Sequence, residues 1–180
     1  MTPEKGQDML RRKRVLLGLA AIAALALAVG DVRAHGNEHG EAKATIGNVK
    51  VTISYNRPAL KGRDLTKMIQ PGDLWRLGAD IPTTIESDAD LDFGGTRVPQ
   101  GKHILLARYV EPGKWTLVVS SKDRFHYEPS ARIAEEPMEF ENGKDPTDAL
   151  TIQLSNKGGR GVIEIAWGTL RLVGAFVPAK

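Results

Sequence analysis

The chain predicts an all-β fold, an antiparallel β-sandwich or flattened barrel with one short helix in a long loop. Two observations carry that expectation. From Val49 the residues alternate strictly, with Val49, Val51, Ile53 and Tyr55 on one face and Lys50, Thr52, Ser54 and Asn56 on the other, the period of a half-buried strand. Short apolar segments then recur at even spacing, parted by turn compositions such as Gly94-Gly95 and Glu111-Pro112-Gly113-Lys114, as in sheets built from consecutive hairpins.

Residues 1–34 read as a secretory leader rather than part of that domain. Arg11, Arg12, Lys13 and Arg14 form a basic start, and the apolar run from Val15 to Val29 follows. That run is shorter than the roughly 20 residues a membrane-spanning helix needs, which disfavours the rival reading of an uncleaved anchor. Val32-Arg33-Ala34 offers a small-x-Ala cleavage site, and cutting there makes His35 the new N-terminus. The expected destination is the periplasm or the medium, with membrane contact only through the leader.

The leader also accounts for the basic balance of the whole chain. Of 25 basic and 22 acidic residues, six and three respectively lie in residues 1–34, so the remaining 146 residues balance at nineteen of each. A nucleic-acid partner needs a basic excess to neutralise phosphates, so none is expected. The chain has no cysteine, which excludes thiol nucleophiles, thiolate metal sites and redox disulfides. A domain of this size buries a core without such staples.

Residues 35–42 lack apolar periodicity and read as a flexible lead-in, with the domain running from 43 to 180. Gly47-Asn48 reads as the turn of a short hairpin that leads into the Val49 strand. Between Arg57 and Gly78 the breakers Pro58, Gly62, Pro71 and Gly72 leave room for one short helix from Asp64 to Ile69, with Asp64 as N-cap. Strands are expected at Thr83 to Ser87, Leu91 to Phe93, Lys102 to Val110 and Trp115 to Ser120. An irregular passage follows, then three more strands at Leu150 to Ser155, Val162 to Trp167 and Leu170 to Val177. Lys157-Gly158-Gly159-Arg160-Gly161 reads as a hairpin turn, not a nucleic-acid motif.

From Tyr55-Asn56-Arg57-Pro58-Ala59-Leu60-Lys61-Gly62-Arg63 onward the chain resembles the exported bacterial family DUF2911, a domain of unknown function. Trp75-Arg76-Leu77-Gly78-Ala79-Asp80, Thr83-Thr84, Pro99-x-Gly101, Trp115-Thr116-Leu117-Val118-Val119, Ala44-Thr45-Ile46-Gly47 and Ile165-Ala166-Trp167-Gly168 extend the resemblance over nearly the whole domain. Two positions depart from the family's pattern. Asp80 stands where Asn is common, and Arg124-Phe125-His126-Tyr127 stands where a Gln-Trp-Gly segment often follows the Trp115 strand.

The matched loops concentrate Arg57, Lys61, Arg63, Trp75, Arg76, Asp80, Thr83 and Thr84. Guanidinium forks suit carboxylate, phosphate or sulfate, and Trp stacks on sugars, so these residues are the candidate surface for an anionic or glycan-like ligand or an envelope protein. The competing reading pairs Arg57 and Arg76 with Asp64, Asp73 and Asp80 to pin the loop, with Trp75 in the core. His35 as N-terminus would offer an amine and an imidazole, a chelating pair that suits copper, with His39, His103 or His126 completing the site. Glu86, Asp88, Asp90 and Asp92 share one parity but lack the Gly and Glu of a calcium loop. No Gly-x-Ser-x-Gly, His-Glu-x-x-His or phosphate-binding Gly loop is present. The leading expectation is an exported non-catalytic binding module without a cofactor. A copper-binding protein is the alternative, and an unrecognised hydrolase stays open.

Overall fold

The computed structural model describes residues 36–180. These form ten strands: β1 (Glu38–Ile46), β2 (Val49–Arg57), β3 (Leu74–Trp75), β4 (Thr84–Ser87), β5 (Leu91–Phe93), β6 (Thr96–Val98), β7 (Gly101–Glu111), β8 (Lys114–Ser120), β9 (Arg132–Lys157) and β10 (Arg160–Pro178). All pairings are antiparallel, in the order β1-β2-β4-β7-β8-β9-β10-β5-β6, with β3 added to β7. The all-β expectation holds, and the sheet is not closed into a barrel.

The short helix expected over Asp64 to Ile69 is instead a single 3-10 turn, Leu65–Lys67. Lys67 N–H donates to Asp64 O at 3.2 Å and Met68 N–H to Leu65 O at 2.9 Å, the i to i+3 pattern. A segment this short, closed by Pro71, cannot offset the cost of nucleating an α-helix, and buried Leu65 and Ile69 tie it to the core.

β1 begins at Glu38, inside the expected lead-in, and pairs in unbroken register from Glu38 opposite Arg57 to Ile46 opposite Val49. Its even positions from Gly40 to Ile46 face inward, and three of them are Gly or Ala. The residues are small because a Cβ at Gly40 would come within 2.7 Å of the Tyr55 ring. Steric demand therefore hides the apolar alternation.

The largest difference lies in the second half of the chain. Of the passage expected to be irregular, residues 121–131 are so, but 132–149 form the first part of β9, and the two last expected strands are one strand, β10. Register shifts interrupt the β9–β10 ladder, where Ala166 faces Thr151, Gly168 faces Thr147 and Leu170 faces Asn142. The extra residues lie on β9 and set exposed Lys144, Asp145, Pro146 and Asp148 beside buried Leu150, which is why no strand period shows there. The hairpin bends at this point so strongly that Phe176, near one end of β10, rests on Gly161 near the other. A Cβ at Gly161 would sit 2.2 Å from the Phe176 ring, which is itself held against Phe93 at 5.1 Å between centroids.

The bent hairpin lies against β1 and β2 through polar contacts to its backbone. The buried Tyr55 hydroxyl donates to Ile152 O at 3.2 Å and accepts from Ile152 N–H at 2.9 Å. Asn156 Nδ2 donates to Thr45 O at 2.9 Å. The core between these layers holds Val51, Ile53, Ile85, Leu105, Leu117, Leu150, Ile163 and Ile165.

The other face of β7 and β8 is covered as well. Leu106 and Val118 are buried there, and the segment from Ser121 to Ala131 is closed by Ser121 N–H donating to Ala131 O at 2.9 Å. Beside them Glu135 accepts from Arg108 Nε at 2.8 Å, Thr116 Oγ1 at 2.6 Å and Arg132 Nη1 at 2.8 Å, while Arg108 Nη2 donates to the Tyr127 hydroxyl at 3.0 Å. Burial alone would push the Glu135 carboxyl up, but its three donors and the Arg108 charge outweigh that and hold it below the ordinary glutamate value.

Two stability outcomes follow from this packing. Gly161→Ala is expected to cost about 1–3 kcal/mol, because the stacked Phe176 ring has nowhere to go, as read by urea unfolding. Glu135→Gln is expected to cost about 1–3 kcal/mol at pH 7. A lowered folded-state pKa makes the carboxylate's contribution complete above the unfolded value and lost as pH falls through the folded one. The gap between wild type and E135Q is therefore expected to narrow below about pH 4. A gap of constant size from pH 7 to pH 3 would contradict the assignment.

Candidate functional site

All three tryptophans of the chain meet in one cluster. Trp75 stacks on Trp167 with centroids 5.9 Å apart and meets Trp115 edge-on at 6.2 Å, and Trp115 touches Tyr109 at 4.9 Å. Each Trp reaches the cluster from a different element: Trp75 from β3, Trp115 from β8 and Trp167 from β10 at the register shift. The Trp167 indole N–H donates to Pro58 O at 3.0 Å, fixing the long loop after β2 to the bend. Gly168, in the left-handed region at φ 59, lets the chain turn there, and Leu60 fills the space a side chain would need. Arg171 Nη1 donates to Gly168 O and Leu170 O at 2.8 Å, and its Nη2 to Asp145 O at 2.6 Å, so the bulge is braced.

A cleft of about 620 Å³ opens over this cluster, with Trp167, Trp115, Tyr109, Leu60 and Phe140 in its walls. That volume lies within the roughly 300–1,000 Å³ usual for small-ligand sites. Arg63, Asp64, Asn142 and Thr169 supply its polar lining. The Arg63 guanidinium lies 5.2 Å from the Trp167 ring centroid and donates from Nε to Leu60 O at 3.1 Å and from Nη2 to Ala59 O. Arg63 is exposed and Trp167 buried, so the planar, charged group lies between the indole and solvent.

A second, smaller cavity of about 70 Å³ is lined by Arg76, Asp80, Pro82 and Phe125 among others. It lies against Ile104 and Leu106, on the face of β7 opposite the tryptophans.

The candidate ligand residues therefore divide rather than converge. Arg63 lines the Trp167 cleft, and Trp75 lies behind it as core. Arg76 and Asp80 line the smaller cavity. Arg57 borders neither: it donates from Nη1 to Glu38 at 3.0 Å and from Nε to Leu150 O at 3.2 Å, pairing with Glu38 rather than with any of the Asp residues considered for it. Lys61 is exposed on a left-handed turn at φ 47. Thr83 is fully buried and its hydroxyl donates to Leu77 O at 2.8 Å, a structural contact. Thr84 is half-buried in β4 between β2 and β7. Asp80 is exposed, and donors from Asn37 first, then Asn56, with the nearby Arg76 charge, hold its carboxyl below the ordinary aspartate value.

The model of the family described as "Protein of unknown function (DUF2911)" matches residues 37–174, from β1 almost to the end of β10. The chain belongs to this family. No curated protein and no solved structure matches it. The Trp167 cleft and the smaller Arg76 cavity of this DUF2911 domain both lie within the matched span.

The copper reading rests first on His35, which lies outside the described residues. His39 is in β1 with Nδ1 3.3 Å from Asn56 Oδ1. His103 contacts Pro99 O at 2.7 Å and His126 contacts Asp123 at 3.0 Å. Among the described residues no three His or acidic side chains are grouped to hold a metal ion. The acids considered for calcium serve local geometry instead. Asp88 accepts from Lys50 N–H at 2.8 Å, Asp90 from Gln100 N–H at 2.7 Å and from Arg97, and Asp92 from Gly95 N–H at 2.7 Å.

Sequence reasoning passed over Trp167, Tyr109, Leu60 and Phe140 as site residues. Three tryptophans far apart in the chain give no sign of meeting, although Trp167-Gly168 interrupting a strand pattern was a usable signal of a bulge. In this DUF2911 domain Trp167→Phe is expected to cost about 0.5–1.5 kcal/mol, since it removes one of the two hydrogen bonds that Pro58 O accepts, the other coming from Leu150 N–H at 3.0 Å. Guanidinium unfolding of the variant checks this, and an unchanged midpoint would remove the role given to that hydrogen bond.

Proposed function

We propose that this DUF2911 protein is an exported, non-catalytic binding module of the bacterial envelope whose Trp167 cleft takes a glycan-like ligand carrying an anionic group. The observation that carries the reading is the cleft itself: ligand-sized, walled by aromatic side chains, with the Arg63 guanidinium laid over Trp167. A guanidinium in that position has one face for a sugar ring to stack on and N–H groups to meet a carboxylate or sulfate. Asn142 and Thr169 add neutral hydrogen-bonding groups for hydroxyls. One arginine beside the acidic Asp64 fits a sparsely charged glycan better than a polyphosphate. Export is supported by the basic, apolar and small-residue order of residues 1–34.

Because the three tryptophans share one cluster, intrinsic fluorescence reports directly on the cleft. Titration of the exported protein with oligogalacturonate, chitotriose and cellotriose is expected to give a saturable emission change, largest for the anionic oligomer. Arg63→Ala is expected to weaken that binding about tenfold while leaving the unfolding midpoint in place. Emission and midpoint unmoved by all three sugars would refute the glycan reading.

A further inference from the structure

The smaller cavity has features that the fold alone does not require. Phe125 is 69% exposed, yet it is held firmly in place. It sits on a turn in which Asp123 accepts from Phe125 N–H at 2.9 Å, His126 N–H at 3.1 Å and the His126 ring at 3.0 Å, and Lys122 pairs with Glu128 across the same segment. Burying a phenylalanine stabilises a protein by about 1.5–3 kcal/mol; here a braced turn keeps one outside.

Two guanidiniums flank that ring, Arg124 at 5.2 Å and Arg76 at 5.8 Å from its centroid. Arg76 uses its Nε on Gly78 O at 3.1 Å. Among the described residues Arg124 donates no hydrogen bond to the protein. Asp80 and Asp123, which complete the lining, already accept several donors each. The cavity thus has an apolar floor of Ile104, Leu106 and Pro82 and an excess of unused cationic N–H groups at its mouth. The loop carrying Arg76 is strained: Leu77 at φ 54 and Asp80 at φ 62 are non-glycine residues in the left-handed region. Such positions cost about 1–2 kcal/mol each and gather at ligand clamps.

We propose that this cavity is a second binding site, distinct from the Trp167 cleft, for a carboxylate carrying a short apolar or aromatic group. The carboxylate bridges Arg76 and Arg124, and the apolar group lies on Phe125, Ile104 and Leu106. The same chemistry comes from a free organic acid or from the C-terminal residue of a peptide.

The test is methyl NMR on the full exported protein with labelled Ile and Leu, titrated with 3-phenylpropionate and with its neutral amide. Saturable shifts at the Ile104 and Leu106 methyls are expected with the acid, and binding of the amide about tenfold weaker. Arg76→Ala and Arg124→Ala are each expected to weaken the acid about fivefold or more, and Arg63→Ala, in the other cleft, to leave it unchanged. Tighter binding of Gly-Gly-Phe with a free C-terminus assigns a peptide end, and weaker binding a free acid. Equal affinity for acid and amide, unmoved Ile104 and Leu106 methyls at millimolar acid, or wild-type binding by both arginine variants would overturn the proposal.

Discussion

At Gly168 the last and longest hairpin bends, and the layers of the domain are set by how far it bends. A left-handed residue there, with Leu60 packed where a side chain would project, turns β10 so that its two halves join different parts of the fold. Trp167, immediately before it, fastens the bend to the loop after β2 through Pro58. Tyr55, three residues earlier in the chain than Pro58, fastens β2 to the hairpin backbone through Ile152. Tyr55 thus satisfies both backbone groups of Ile152 on the hairpin, and Trp167 gives the Pro58 carbonyl a second donor beside Leu150 N–H.

The bend also makes the larger cleft. A straight hairpin would have continued its ladder across the space that Trp167, Leu60 and Phe140 now surround. Because the register shifts insert their extra residues on β9, the bulged backbone stands away from the β7–β8 turn and leaves the tryptophan cluster under an opening rather than under a strand. Bulges commonly re-aim side chains in this way, and here the side chain re-aimed is Trp167, which stacks on Trp75.

β7 separates two chemical environments by simple alternation. Leu105, Ala107 and Tyr109 face the aromatic core and the cleft, while Leu106 and Arg108 face the segment from Ser121 to Ala131. On that second side, the ion pair of Arg108 and Glu135, closed by Arg132, Thr116 and Tyr127, supports the covering segment at one end. Phe125 stands at its free turn. The same strand therefore lines an aromatic cleft on one face and a smaller cavity edged by Arg76 and Arg124 on the other, with no residue shared between them.

The sequence by itself determined the all-β class, most of the hairpin turns and the strands from Val49 to Ser120 other than the short β3 and β6, because half-buried strands must alternate and tight turns need Gly, Pro or Asn. It also placed Arg63, Arg76 and Asp80 on loops, where each lies. Three things were decided only in three dimensions. The start of β1 at Glu38 was hidden because its inward positions are Gly and Ala beneath Tyr55, so no apolar period marks it. The unity of β9 and of β10 was hidden because the bulge breaks the period where the hairpin bends. The division of one expected ligand surface into two cavities was hidden because adjacent residues Trp75 and Arg76 project from opposite faces of the sheet, and only the pairing of β3 with β7 says which face each one meets.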